Sequence, residues 1–321
     1  LIDHSGYPFA TTLLGKTVIP EDHPQFVGVY GGYTAWKEAR KIIGKSDIIL
    51  CLGTFMTDIE IGGAKVLLDT GKMIVANSDK VRIKHHVYNN ISLKDFMVAL
   101  KKGLKKGTLH NVDISETVNA LKKTFVSVPD EKITIKRFYQ RISSYIKNSS
   151  VVLADAGDSM FNVANLYFPK GAQCIDQAFY LSIGYSVPAA LGAKLAMPSS
   201  RPITFVGDGA FQMTAQAIST IIREKLNPII FVINNDGYTI ERVMKDGAFN
   251  DLKMWNYSEL PKTFGGGWGC AVKTEGDLEN ALKKADKLEN ELALIEIQVD
   301  RWDCSDSLNE IGMLFKQKHF N

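Results

Sequence analysis

Short unbroken apolar runs alternate along this chain with stretches whose apolar residues recur every three or four positions. In the first third, residues 34–43 have helical spacing, 47–53 and 72–77 are strand-length apolar runs, and 93–104 are again helical. Apolar runs without strict alternation predict strands buried on both faces, hence a parallel sheet covered by helices. Residues 101–135 are richer in Lys, Thr, Ser and Asn, and 106–135 read as a linker that carries some helix of its own. The pattern then resumes with a helix over 135–146. Strands are expected at 150–154, 202–206, 228–233 and 293–299, with helices at 214–224 and 276–288. The expectation is an α/β chain of two doubly wound domains, 1–105 and 136–321, with mainly parallel sheets covered by helices.

Composition fits that picture. Of 321 residues, 45% are hydrophobic and 23% charged, enough for two ordinary cores. The net charge of +3 gives no ground for a nucleic-acid or anionic-membrane partner. No apolar run approaches the ~20 residues a membrane span needs. Nor do the first residues pair a basic stretch with an apolar one, as a secretory leader does. Cys51, Cys174, Cys270 and Cys304 are scattered without a C-x-x-C pair, so reduced thiols and a cytoplasmic setting are expected. The chain opens at Leu1 as if within a fold, and an upstream segment is expected.

One constellation carries chemistry. The strand at 202–206 runs into Gly207-Asp208-Gly209, and 24 residues (Ala210 to Ile233) separate this from Asn234-Asn235 at the end of the next strand. Both clusters fall where open α/β sheets bind ligands, outside the carboxyl ends of strands. Asp208 offers a carboxylate oxygen, Asn235 an amide oxygen and the Asp236-Gly237 turn a backbone carbonyl. Three such oxygens leave room for phosphate and water around an octahedral Mg²⁺. Gly207 and Gly209 would admit a phosphate close to the backbone, and the following helix would point its N-terminus at the anion. Gly-Asp-Gly alone is a common turn, but the two clusters at this spacing, each ending an apolar strand, are not a common pair.

The pair, with its 24-residue spacing, resembles the thiamine diphosphate-binding motif. Asp236-Gly237-Tyr238-Thr239-Ile240-Glu241-Arg242, Ala154-Asp155-Ala156-Gly157-Asp158-Ser159 and Ser182-Ile183-Gly184-Tyr185 resemble the pyruvate and indolepyruvate decarboxylase group in particular. Gly15-Lys16 and the stretch from His23 to Tyr30 look like that family's central domain. The resemblance implies a central domain at 1–105 and a diphosphate-binding domain at 136–321. It also implies thiamine diphosphate and Mg²⁺ as cofactors, and decarboxylation of a small 2-oxo acid to an aldehyde. By the same resemblance Asp208, Asn235 and the carbonyl of Gly237 hold the metal. Asp158, Ser159, Gly207, Gly209, Ala210, Tyr238, Thr239 and Ile240 line the cofactor. Leu181 offers its carbonyl to the aminopyrimidine, and Ile183 wedges the two cofactor rings together.

Glu241 is then the catalytic acid–base, in a pocket whose low dielectric would raise its pKa. The opposing reading is a glutamate favoured in a helix's first turn. His85-His86 resembles the family's paired histidines but lies in the wrong domain and reads as surface. Ala156, where relatives carry larger residues, suggests room for an aromatic or branched substrate. The family's N-terminal pyrimidine-binding domain is absent from these residues, so it must come from a preceding segment or another chain, and a homodimer or homotetramer is expected. The rival readings are an acetolactate synthase-type carboligase and a non-catalytic cofactor-binding fragment. Gly31-Gly32 and Gly62-Gly63 are poor substitutes for the glycine fingerprint of a dinucleotide site.

Overall fold

The computed structural model describes residues 1–32, 36–57, 68–108 and 112–319. Gly62-Gly63 and the start of the helix expected at 34–43 lie outside them. The chain forms two compact units, Leu1–Asn119 and Ala120–Asn321, which divide inside the stretch expected as a linker.

In the first unit β1 (Phe9–Thr12) and β2 (Phe26–Tyr30) form a parallel pair. A four-stranded sheet follows: β3 (Ile49–Leu52), β4 (Met73–Ala76), β5 (Lys80–Ile83) and β6 (His86–Asn89), in that order. Only β3 and β4 are parallel. The pairs β4–β5 and β5–β6 are antiparallel, so the expectation of a parallel sheet covered on both faces needs correction here. Two residues join β5 to β6, with Lys84 left-handed at φ 55°, and a link that short permits only a hairpin. All of β6 is exposed, His85 and His86 with it, as their surface reading anticipated. The helix Leu93–Gly103 is capped by Ser92, whose hydroxyl accepts from Asp95 N.

The second unit is a six-stranded, wholly parallel sheet. Its strands are β7 (Ser150–Ala154), β8 (Gln173–Asp176), β9 (Arg201–Gly207), β10 (Ile229–Asn234), β11 (Trp268–Val272) and β12 (Ala293–Gln298), in the order β11-β12-β10-β9-β7-β8. β7, β9, β10 and β12 are buried almost throughout, because helices cover both faces. On one face Phe205 and Phe231 stack at 5.3 Å, and Phe138 of the helix Ile135–Ser143 meets Phe231 edge-on at 5.2 Å. On the other, Val206, Ile230, Val232 and Leu294 pack with Phe211, Ile218, Ile221 and Tyr257. The helix expected at 214–224 is Ala217–Arg223, and a separate short helix, Asp208–Thr214, starts directly at the glycine turn before it.

The chain leaves β7 towards β8 on one side, and leaves β9 towards β10 on the other. Connections that part in this way open a crevice at the carboxyl ends of β7 and β9, the switch point where such sheets bind ligands. The last residues before the helix Ile135–Ser143 belong to this unit as well: Ile133 N donates to Lys273 O, and Val128 N to Glu275 Oε2. The four cysteines are free thiols. Among the described residues no helix is long and apolar enough to cross a membrane.

Candidate cofactor and metal site

β9 ends at Gly207, which stands directly beside Ile233 of β10, and the next helix begins at Asp208. A Cβ added at Gly207 would enter open space, and so would one at Gly157. Gly209 also serves the packing of the site. A Cβ there would come within 2.4 Å of the Tyr238 ring, so the missing side chain admits Tyr238. Asp208 is 1% exposed. Its Oδ1 accepts from Gly209 N at 2.7 Å and its Oδ2 from Gly237 N at 2.9 Å. Burial pushes its pKa up to about 6, against the pull of those two amides and of Arg242. A carboxylate has about four lone-pair sites, so two amide donors leave acceptor capacity for a cation.

The tip of β10 supplies the other half. Asn234 is turned aside, its Nδ2 donating to Glu296 Oε1 at 2.7 Å. Asn235 is buried at the cavity wall. The chain then reverses through Asp236 (φ 62°) and Gly237 (φ 125°) into the short helix Thr239–Met244. Tyr238 N donates to Asn250 O at 2.9 Å, and the Thr239 hydroxyl donates to Arg301 O at 3.0 Å.

At the tip of β7 sits a residue to which sequence reasoning gave no role. Asp155 is fully buried and accepts from Gly184 N at 2.9 Å, Ser186 N at 2.9 Å and Ser186 Oγ at 2.7 Å. It ties down the loop that carries Leu181 and Ile183, and Thr214 Oγ1 adds a bond to Gly184 O at 2.6 Å. Leu181 is left-handed at φ 55° and 41% exposed, and Ile183 is 43% exposed. Asp158 follows Gly157 (φ 103°), and its carboxylate accepts from Ser305 N at 3.0 Å and from the Ser305 hydroxyl. Burial raises Asp158 to about 6 as well. The Ser305 oxygen also accepts from Leu308 N at 3.0 Å, which caps the C-terminal helix Asp306–His319. That helix packs on Thr239–Met244 with Leu308 buried, and Gly312 lies against Val243. Met313 on the same helix is 61% exposed.

These elements enclose a cavity of about 70 Å³. Asp158, Ser159, Ile183, Gly207, Asp208, Gly209, Ala210, Asn235, Gly237, Tyr238, Thr239 and Ile240 all line it, together with Ala156, Gly157, Ile135 and Tyr139. Leu181 and Glu241 are the two candidates outside the lining. Glu241 is exposed because the helix turns its neighbour Arg242 inward and leaves 241 facing out.

Three observations fit a cation bound with a phosphate. Gly157 and Gly207 leave space where side chains would intrude, and Asp208 keeps lone pairs free. The Tyr139 hydroxyl is buried at the wall without a hydrogen-bond partner of good geometry. Among the described residues no cluster of three or more His, Cys, Asp or Glu could hold a metal. An ion at Asp208 would therefore complete its shell with amide, carbonyl and phosphate oxygens, the hard-oxygen set of Mg²⁺.

Residues 155–297 match the C-terminal TPP-binding domain of thiamine pyrophosphate enzymes, and residues 1–98 match their central domain. The chain is 35% identical over 318 residues to pyruvate decarboxylase 4 of Arabidopsis thaliana, covering 97% of this chain and 53% of the relative. It is 34% identical over 318 residues to the pyruvate decarboxylase of Aspergillus fumigatus, covering 96% and 55%. Against pyruvate decarboxylase 2 of Pisum sativum it is 35% identical over 318 residues, covering 97% and 78%. It thus spans about half the length of the first two relatives and more of the third. With both domain matches and this identity to pyruvate decarboxylases along nearly its whole length, the chain belongs to the thiamine pyrophosphate enzyme family.

Proposed function

We propose that these residues form the diphosphate and metal side of a thiamine diphosphate- and Mg²⁺-dependent decarboxylase, which converts a 2-oxo acid to an aldehyde and CO₂. The observation that carries this reading is the bond from Gly237 N to Asp208 Oδ2, 2.9 Å long, which joins the two strand-tip clusters at one buried carboxylate. In this reading Asp208, Asn235 and the Gly237 carbonyl hold Mg²⁺, and the amides and hydroxyl around Asp158 and Ser159 take the diphosphate. Tyr238, Thr239 and Ile240 close the wall, Ile183 supports the cofactor from below, and Leu181 offers its carbonyl. Bound thiamine diphosphate supplies the electron sink for loss of CO₂. Glu241 then holds and returns a proton at its carboxyl oxygen beside the substrate.

Glu241, Leu181 and Ile183 are exposed in this chain, which supports a covering partner. That cover would be a pyrimidine-binding domain outside these residues, contributed across a homodimer or homotetramer in the cytoplasm. Ala156 at the cavity wall supports room for an aryl 2-oxo acid as well as pyruvate. The test uses the full-length assembled protein with Mg²⁺ and thiamine diphosphate, assayed for CO₂ and aldehyde from pyruvate and from phenylpyruvate. Aldehyde from either acid supports the reading. Acetolactate in place of aldehyde, or no cofactor uptake, overturns it. A strong preference for pyruvate removes the argument from Ala156.

A further inference from the structure

Beneath the turn at 235–237 lies a guanidinium to which the reading above assigns no task. Arg242 is 1% exposed. Its Nη1 donates to the Asn235 carbonyl at 2.9 Å and to Thr239 Oγ1 at 3.3 Å, while its Nη2 donates to the Asp236 carbonyl and to Asp251 Oδ1 at 3.0 Å. The peptide units it grips are the ones that aim the Asn235 side chain and the Gly237 carbonyl. The turn needs such a grip, because Asp236 is left-handed at φ 62°, a conformation that residues with a Cβ avoid. Gly237 is what lets the guanidinium in: a Cβ there would come within 2.5 Å of Arg242 Nη2 and 2.3 Å of Asn250 O.

On its far side Asp251 also accepts from Arg301 Nη2 at 2.7 Å. The two guanidinium groups hold the Asp251 carboxyl below the usual carboxylate range, the Arg242 hydrogen bond contributing most. A buried positive charge next to a cation site opposes the cation, and burying it is costly in itself. Such a group earns its place only if the geometry it imposes outweighs that repulsion.

We propose that Arg242 is the positioning residue of the cation site, with Asp251 as its counter-ion. It locks the turn at 235–237 in the conformation that presents one amide oxygen and one carbonyl oxygen to the metal. The proposal rests on the Mg²⁺–thiamine diphosphate reading and adds a residue to it.

The test uses the full-length assembled enzyme. Loss of the free Mn²⁺ resonance signal on titration with thiamine diphosphate present reads metal affinity apart from turnover. Thermal unfolding of the ligand-free protein reads the fold. Arg242→Gln should weaken Mn²⁺ binding about tenfold or more, the usual cost of losing a group that orients metal ligands. Its kcat at saturating metal should fall far less, and Arg242→Lys should recover part of the affinity. Asp251→Asn, a change at an exposed carboxylate, should weaken Mn²⁺ binding roughly two- to threefold with an unchanged melting temperature, as expected for loss of one partner in a network. Metal affinity equal to wild type in both Arg242→Gln and Asp251→Asn, with only the melting temperature lowered in the former, overturns the proposal. If Arg242→Gln fails to fold, Asp251→Asn decides alone: unchanged affinity overturns it. A wild-type protein that takes up neither Mn²⁺ nor thiamine diphosphate overturns the cofactor reading itself, and the proposal with it.

Discussion

The tips of β9 and β10 and the loop after β8 border the same crevice, yet they are built in opposite ways. At the strand tips, Asp208, Asn235 and Arg242 are buried and cross-linked by backbone amides and carbonyls. In the loop, Phe179, Tyr180, Leu181, Ile183 and Tyr185 are all 36% exposed or more, and the loop is fastened mainly at its end by Asp155. Exposed apolar side chains in one run mark a surface that another surface covers. In the proposed reading the strand tips are the anchor for the cofactor's charged tail, and the loop is one wall of the reaction space that a covering domain would complete.

That contrast predicts effects of graded size. Removing the anchor's carboxylate should be worst. Asp208→Ala should lower the affinity of the assembled enzyme for Mg²⁺–thiamine diphosphate by about three orders of magnitude, since a charged ligand and two amide anchors are lost together. Isothermal titration measures this, and retention of affinity would break the anchor side of the comparison. On the wall side, Glu241→Gln should cut kcat roughly a hundredfold, the scale of general acid–base catalysis, and leave cofactor affinity within about twofold. A parallel loss of binding would show that Glu241 belongs to the anchor instead.

Asp155→Ala tests the fastening between the two. It strands three buried donors, which costs about 3 kcal/mol and should lower the melting temperature by about 6–12 °C. Proteolytic cleavage within 177–186 should become faster. An unchanged melting temperature and cleavage rate would detach Asp155 from this role.

The mildest test is pH. Asp208 titrates at about 6, so Mg²⁺-dependent cofactor affinity should fall about tenfold per unit as pH drops below 6. The stability of the ligand-free protein should move the other way. With the folded pKa raised above the ordinary carboxylate value of 3.8, Asp208 and Asp158 contribute stability below pH 3.8 that is lost as pH rises through about 6. Titrations and thermal melts between pH 4 and 7 check both signs, and parallel trends would contradict the assignment.

The sequence made the anchor's chemistry legible because it lies at the ends of strands that are apolar on both faces, and those runs stand out. β9, β10 and β12 were visible for that reason, and so was the alignment of Asp208 with Asn235. The hairpin Lys80–Asn89 was not, since its strands mix lysine, histidine and tyrosine on an exposed edge. β8 and β11 were missed as short sheet-edge strands with weak apolar signal. Asp155 and Arg242 lie within the motifs, but the sequence shows no structural task for either. Whether a polar side chain is buried, and against which carbonyl or amide, depends on partners 7 to 31 residues away along the chain, such as Asn235 for Arg242 and Ser186 for Asp155. Glu241 shows the reverse case. Its motif suggested an apolar pocket, but helical periodicity turned residue 242 inward and left 241 facing solvent.

The left-handed backbone at Asp236 has a last consequence. Its strain is already met inside the ligand-free protein, by the grip on its carbonyl and by the missing side chain at the next position. Capture of the pyrophosphate then needs little freezing of chain motion on arrival, so the entropy of loop ordering is spent at folding and recurs little with each round of cofactor exchange.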